Sequence, residues 1–332
     1  MMAVQRAAAM KMAEQVTFGG PGPDRAGHLR GNADALAAAR ADPRAAAVLV
    51  WRGKPLLLGP ALDRLALLPL AHPLLAGDAS APYLLGLDRS GAARFAHDLN
   101  GWQPEGLDPA ALGSFMDPSE QHHPDLPGDH AFAELRRVMA RLSPDDAAMA
   151  ATAKALIDWH RSHRFCSCCG RESAIILSGW QRRCPDCGAN HFPRTDPVVI
   201  MLITHGNAVL MGRSPGWPEG MYSLLAGFME PGETLEAAVR REVHEETGVS
   251  VAEVEYLSSQ PWPYPSSLMI GCRGRALGRA ITLDPVELED AIWVGRDEMM
   301  SAFAGEHGFL KPARSGAIAR FLLQNWLADR LE

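Results

Sequence analysis

The chain has 332 residues, enough for two or three domains. Its 47% hydrophobic and 21% charged composition is that of an ordinary globular protein. A net charge of -7 argues against a dedicated duplex-DNA binder, and no apolar run approaches the ~20 residues of a membrane span.

In chain order, residues 1–16 are Ala-rich with Arg6 and Lys11 and lack the apolar core of a secretory signal; they read as a loose, cytoplasmic N-terminus. Ala46–Trp51 and Pro55–Leu58 flank Arg52-Gly53-Lys54 and read as a hairpin, as do Tyr83–Leu87 and Ala93–Ala96 around Asp88–Gly91. Residues 102–130, rich in Pro, Asp, Gly and His, read as a loop. Its His122, His123 and His130 lack the spacing of metal ligands and are expected to be exposed. Asp145–His163 carries helical spacing through Met149, Ala153, Leu156, Ile157 and His160. The first ~130 residues therefore predict an α+β domain with no visible catalytic cluster.

Five of the six cysteines lie between residues 166 and 187. Cys166/Cys169 and Cys184/Cys187 form two Cys-x-x-Cys knuckles, each followed by a glycine, Gly170 and Gly188, that lets the backbone turn tightly. Four thiolates suit tetrahedral Zn²⁺ at about 2.3 Å and leave no position for water, so one structural zinc per chain is expected. Cys168 reads as a bystander and Cys272 as a core thiol. Residues 172–183 read as two short strands around Ser178-Gly179. Nearby Arg161, Arg164, Arg171, Arg182 and Arg183 leave nucleic-acid contact open beside a merely solvated surface.

Val198–Ile203 and Ala208–Met211 predict a hairpin around His205-Gly206-Asn207. Residues 227–249 follow. At about 100° per residue, Leu235 (about 0°), Ala238 (about −60°), Val239 (about 40°) and Val243 (about 80°) mark the buried stripe of a helix. Glu242 (about −20°), Glu246 (about 20°) and Glu245 (about −80°) continue that stripe, while Arg240, His244 and Thr247 fall outward. A solvated Glu-rich helix end is one reading, since surface repulsion at i,i+4 costs only about 0.2–0.5 kcal/mol. The other is a metal site. Acids at a helix C-terminus oppose the macrodipole and their inward phase adds desolvation, and Mg²⁺ or Mn²⁺ would offset both penalties.

Pro261, Pro263 and Pro265 predict a stiff extended loop over residues 259–267 that presents Trp262 and Tyr264, either to stack on a base or to pack against protein. Ile292–Val294 reads as a late strand and Ala317–Leu327 as a closing helix.

These motifs resemble a known family. Gly227, Glu233, Arg241-Glu242-Val243, Glu245-Glu246 and Gly248-Val249 match every fixed position of the Nudix box. Ser259–Ser267 is similar to the Ser-Gln-Pro-Trp-Pro-Phe-Pro-x-Ser mark of NADH pyrophosphatases, also described as NAD-capped RNA hydrolases, with Tyr264 in place of Phe. The four-cysteine ribbon stands just upstream, as in that family, so the likeness covers roughly residues 135–325.

The resemblance implies a Nudix α/β/α sandwich with a zinc ribbon and an N-terminal Nudix-like α+β domain. Boundaries are expected at 1–134, 135–164 (a connecting helical segment), 165–193 (ribbon) and 194–332 (catalytic domain). It implies Mg²⁺ or Mn²⁺ held by Glu242, Glu246 and the Ala226 carbonyl, with Glu245 a further ligand or support, Glu287 an additional ligand, and Glu233 paired with Arg241. It implies substrate contacts from Gln260, Pro261, Trp262, Pro263, Tyr264, Pro265, Ser266 and Ser267, from Phe192, Phe228 and Ala319, and from Arg136. An acidic substrate position of the family is Gly179 here. The implied reaction is hydrolysis of NADH or NAD⁺ to nicotinamide mononucleotide and AMP, and of NAD caps on RNA, by a homodimer with no membrane partner. A Nudix enzyme for ADP-ribose or diadenosine polyphosphates, and a zinc-ribbon nucleic-acid-binding regulator, are the alternatives.

Overall fold

A computed structural model describes residues 11–76, 82–104 and 119–331. Contacts divide the chain into two compact units. The N-terminal unit is Gly20–Thr195 with Trp262–Ser266; the C-terminal unit is Met1–Gly19, Asp196–Pro261 and Ser267–Glu332.

In the N-terminal unit, α1 (Ala33–Ala41) precedes β1 (Ala46–Trp51), β2 (Lys54–Leu58), β3 (Arg64–Leu65), β4 (Leu68–Pro69), α2 (Pro73–Ala76), β5 (Tyr83–Leu87), β6 (Ala93–Asp98) and β7 (His130–Phe132). The seven strands form one sheet in the order β3-β2-β1-β6-β5, with β4 on β1 and β7 on β2. Both expected hairpins are present. The strand β1 is buried throughout and also runs parallel to β6, a pairing that local turn signals do not reveal. Trp51, Leu49, Leu56, Phe95 and Phe132 fill the core. His123 is buried against Trp102, with ring centroids 4.6 Å apart, contrary to the expected exposed loop histidine. The apolar body of the imidazole serves as core there. Part of the predicted 102–130 loop lies outside the described residues.

After α3 (Leu135–Val138), α4 (Pro144–Ser162) starts at Ser143, whose hydroxyl accepts from the Asp146 N–H at 3.1 Å, with Pro144 in the first turn. The ribbon follows as β8 (Ala174–Ile176), β9 (Gln181–Arg183) and β10 (Asn190–His191), in the order β10-β9-β8. Arg182 belongs to its interior, not its surface. It is 4% exposed and donates to the Ser173 Oγ at 2.8 Å, the Ser173 and Arg164 carbonyls, and the His160 Nδ1 at 3.2 Å.

The C-terminal unit contains β11 (Asp196–His205), β12 (Ala208–Arg213), β13 (Leu225–Phe228), α5 (Leu235–Thr247), β14 (Val251–Trp262), β15 (Ser267–Ala276), β16 (Asp290–Gly295), α6 (Arg296–Ala304) and α7 (Ile318–Leu327). The sheet order is β14-β15-β11-β12-β16, with β13 on β11, and β15 is parallel to β11. Alternation along β11 makes the sandwich. Val199, Met201 and Ile203 pack with Ala238, Val239 and Val243 of α5, and Ile200 and Leu202 pack with Met299 of α6 and Ile318, Leu322 and Leu323 of α7. Residues 259–262 are the end of a strand, and only 263–266 turn, so the expected extended loop is mostly ladder. Residues 11–19 are not loose: Val16 and Phe18 are buried within this unit. Among the described residues no helix is long and apolar enough to cross a membrane.

Burial holds the His160 imidazole down at about 4, with Arg182 adding to the effect and the bond to the Gly179 carbonyl opposing it. A base depressed below its ordinary 6.5 contributes stability above that pH and loses it as pH falls toward 4. Lowering the pH from neutral to about 5 is expected to cost about 2 kcal/mol through this group. Urea unfolding of the wild type and of His160→Gln measures it: the variant's pH slope is expected to be flatter by that amount.

Candidate active site and zinc centre

The acidic site is built on a strand and a helix. Gly227 of β13 lies opposite Val199 of β11, and Ala226 lies opposite Ile200. A Cβ on Gly227 would fall 1.9 Å from the carboxyl carbon of Glu242, so only glycine lets the helix acid approach the strand. The helix α5 is capped by the Thr234 hydroxyl, which accepts from the Ala237 N–H at 3.3 Å, and ends at Gly248 with φ 68°.

Past this end, the Glu246 and Thr247 carbonyls accept from the Asp284 N–H at 3.0 Å and the Thr282 N–H at 2.8 Å. The Asp284 carboxylate accepts from the Val286 N–H at 2.8 Å. This folded segment brings Glu287 to the helix, where one ligand atom each from Glu242, Glu246 and Glu287 lies within 4.8 Å of the others. It also covers Thr247, which is fully buried and donates to the Val243 carbonyl at 2.6 Å; the wheel's outward placement of Thr247 fails because the chain folds back over the last turn.

Arg241 organises the charge. Its guanidinium bonds Glu233 at 2.6 and 3.1 Å, Glu242 at 2.9 Å, Glu245 at 3.1 Å and the Phe228 carbonyl at 3.0 Å. The Arg241 bonds hold Glu233 below the usual carboxylate range, and Glu233 in turn accepts from the Glu230 N–H at 2.7 Å, closing the loop before the helix. Glu245 is half-exposed and stands outside the three-acid cluster. Glu246 has no such partner. Its Oε2 is buried without a hydrogen bond, and burial together with Glu242, Glu287 and Glu245 pushes its carboxyl up to about 8. Burial also raises Glu242, against the pull of Arg241. An orphaned carboxylate oxygen inside an all-oxygen donor set fits a hard divalent cation.

The four predicted cysteines converge: Cys166, Cys169, Cys184 and Cys187 offer sulfurs within 4.8 Å of one another. The Cys166–Cys187 and Cys169–Cys184 distances are 3.6 and 3.4 Å, close to the ~3.8 Å edge of a tetrahedron with zinc–sulfur bonds of about 2.3 Å. The Gly170 and Gly188 N–H groups close the knuckles on the Cys166 and Cys184 carbonyls at 2.8 and 3.0 Å. His191 Nε2 lies 3.2 Å from the Cys166 sulfur and supports it from outside the cluster. Cys168 is exposed and outside the cluster.

The expected substrate residues are dispersed among different environments. Phe192 and Phe228 are exposed rings at 63% and 59%. Trp262 and Tyr264 lie with centroids 5.0 Å apart, and Tyr264 has the Arg136 guanidinium 4.5 Å and the Lys154 ammonium 5.0 Å from its ring centre. Lys154, inside α4, carries no sequence signal for this placement. Pro261 is exposed, and Pro263 is buried. Gln260 and Ala319 are buried at 0% and 4%. Gly179 has no room for an acid: a Cβ would fall 2.7 Å from the Tyr83 ring.

A mixed sheet between helices with an acidic cluster against a glycine strand defines a Nudix hydrolase fold and site. Family models agree: a NUDIX domain matches residues 193–313, an NADH pyrophosphatase-like rudimentary NUDIX domain 44–159, and an NADH pyrophosphatase zinc ribbon domain 161–192. The chain is 39% identical over 245 residues to the human NAD-capped RNA hydrolase NUDT12, covering 69% of this chain and 50% of that protein. It is 39% identical over 207 residues to the NAD-capped RNA hydrolase NudC of Stutzerimonas stutzeri (62% of this chain, 71% of that one) and 36% over 259 residues to the human mitochondrial NAD(P)H pyrophosphatase NUDT13 (74% and 70%). The chain belongs to the zinc-ribbon NADH pyrophosphatase/NAD-capped RNA hydrolase family of Nudix hydrolases. It spans half the length of the NUDT12 proteins it matches.

Gly227→Ala is expected to push Glu242 out of the cluster and weaken Mn²⁺ binding about 10–100-fold, read by paramagnetic relaxation of water, with the fold retained by circular dichroism. In the ribbon, Cys168→Ser is expected to keep one zinc per chain by elemental analysis, whereas Cys187→Ser loses it.

Proposed function

We propose that the protein is a Mg²⁺- or Mn²⁺-dependent hydrolase of the pyrophosphate bond of NADH and NAD⁺, releasing nicotinamide mononucleotide and AMP, and that it also removes NAD caps from RNA. The observation that carries this reading is the buried, donor-less oxygen of Glu246 beside Glu242 and Glu287. The names of the relatives, NAD-capped RNA hydrolase and NAD(P)H pyrophosphatase, support the choice of substrate.

Glu242, Glu246, Glu287 and the Ala226 carbonyl would hold the divalent ion, which when bound screens the diphosphate and acidifies the attacking water. Glu245, outside the ligand cluster and half-exposed, takes the proton from that water. Arg241 keeps Glu242 and Glu245 in register and joins them to Glu233. Trp262, Tyr264, Phe192 and Phe228 supply ring faces for the bases, and Arg136 a cation for phosphate. Pro263, Pro265 and Ser266 shape the turn that presents Trp262 and Tyr264, and Ser267 opens the strand that follows it. We read the working domains as 1–134, 135–164, 165–193 and 194–332, with structural Zn²⁺ in the ribbon, and the enzyme as a cytoplasmic homodimer. Exposed Phe165 and Phe192 among Arg161, Arg164, Arg171 and Arg183 give the ribbon a surface suited to an RNA chain.

Glu246→Gln is expected to lower turnover at least about 100-fold while zinc content stays unchanged. Appreciable activity in that variant overturns the metal-site assignment. The substrate is tested by offering NADH, NAD⁺, ADP-ribose, diadenosine polyphosphate and NAD-capped RNA and weighing the products. AMP with reduced nicotinamide mononucleotide is expected from NADH; preference for ADP-ribose or diadenosine polyphosphate, or RNA binding without metal-dependent hydrolysis, would replace this reading.

A further inference from the structure

Within the C-terminal unit, the Gln260 carboxamide is fully buried and engaged on both ends. Its Nε2 donates to the Thr17 carbonyl at 2.9 Å and the Gly316 carbonyl at 2.8 Å, and its Oε1 accepts from the Ile318 N–H at 2.9 Å. Ile318 opens α7, whose N-cap residue, Ala317, has no side-chain group to cap with. A first-turn amide that the helix itself leaves orphaned is therefore satisfied from a neighbouring strand.

Ser258, two residues back on the same face of β14, is also fully buried and donates to the Ala13 carbonyl at 2.6 Å. Val16 joins Ile318, Ala319 and Leu322 in one core cluster, with Met12 packed against it. Two strand side chains thus grip the main chain at residues 13 and 17, while apolar side chains on that segment enter the core.

We infer that residues 12–18 are a strap of the C-terminal unit and that Gln260 is a positioning residue. One carboxamide fastens the strap, caps α7 and sets the end of β14, from which the turn at 263–266 emerges. Both amide hydrogens of Gln260 are spent inside the protein, so it acts on substrate through the segment it holds and not by contact.

Gln260→Met, which keeps volume and removes the polar contacts, tests this in the full-length protein by hydrogen exchange and by kinetics with NADH and Mg²⁺. Amides 12–18 and 318–321 are expected to exchange about tenfold faster or more, with α5 amides unchanged. KM for NADH is expected to rise more than kcat falls. The milder Ser258→Ala should accelerate exchange at 12–16 alone and serves if Gln260→Met does not fold. A raised KM with unchanged exchange makes Gln260 a substrate contact and overturns the inference, as does a loosened strap with KM unmoved. The kinetic arm rests on the proposed reaction. The exchange arm does not, so loss of the NADH reading leaves the strap testable.

Discussion

Holding two carboxylates together under cover is the constraint around which the C-terminal unit is arranged. On a surface helix, Glu at i and i+4 repel by a few tenths of a kcal/mol. With ligand oxygens within 4.8 Å and an effective dielectric constant of about 20, the repulsion between Glu242 and Glu246 is about 3–4 kcal/mol, before the desolvation of either is counted. That is a large fraction of the stability of a typical domain. Arg241 answers part of it, but its bonds reach Glu242, Glu245 and Glu233 and leave the buried oxygen of Glu246 alone. A helix end so charged is relieved by a further cation or, without one, by a proton on Glu246, whose carboxyl is pushed up to about 8.

The surrounding elements serve that concentration of charge. The strand β13 presents glycine where any side chain would displace Glu242. The segment 282–288 hydrogen-bonds to the last carbonyls of α5, which satisfies the helix end and delivers a third carboxylate in the same move. The Glu233–Arg241 pair closes the loop before the helix. Each device lowers the entropy of a negatively charged cluster whose self-repulsion would otherwise spread it.

Periodicity made much of this legible. The inward phase of Glu242 and Glu246, the glycine cap at Gly248, the two zinc knuckles and both hairpins of the N-terminal sheet are local patterns, and the structure has them. What was not legible depends on the chain returning from a distance. Thr247 is buried by residues more than thirty positions on, His123 by Trp102, and β1 by a parallel partner across a long connection. Trp262 belongs to a strand in spite of the prolines around it, because Pro261 and Pro263 stand at the edge strand's end, where missing amides cost little. The strap at 12–18 has no signal of its own; polar hands from β14 hold it.

The zinc ribbon shows the same logic with the sign reversed. Arg182 is a buried cation whose hydrogen bonds go to two carbonyls, a hydroxyl and the Nδ1 of His160. His160 must then accept at Nδ1 and donate from Nε2 to the Gly179 carbonyl at 2.8 Å, which fixes it as the neutral tautomer. Gly179 is needed at that point twice over: its φ of 95° turns the chain so that its carbonyl meets His160, and the Tyr83 ring fills the space a side chain would use. An acidic side chain at this position is therefore excluded by packing.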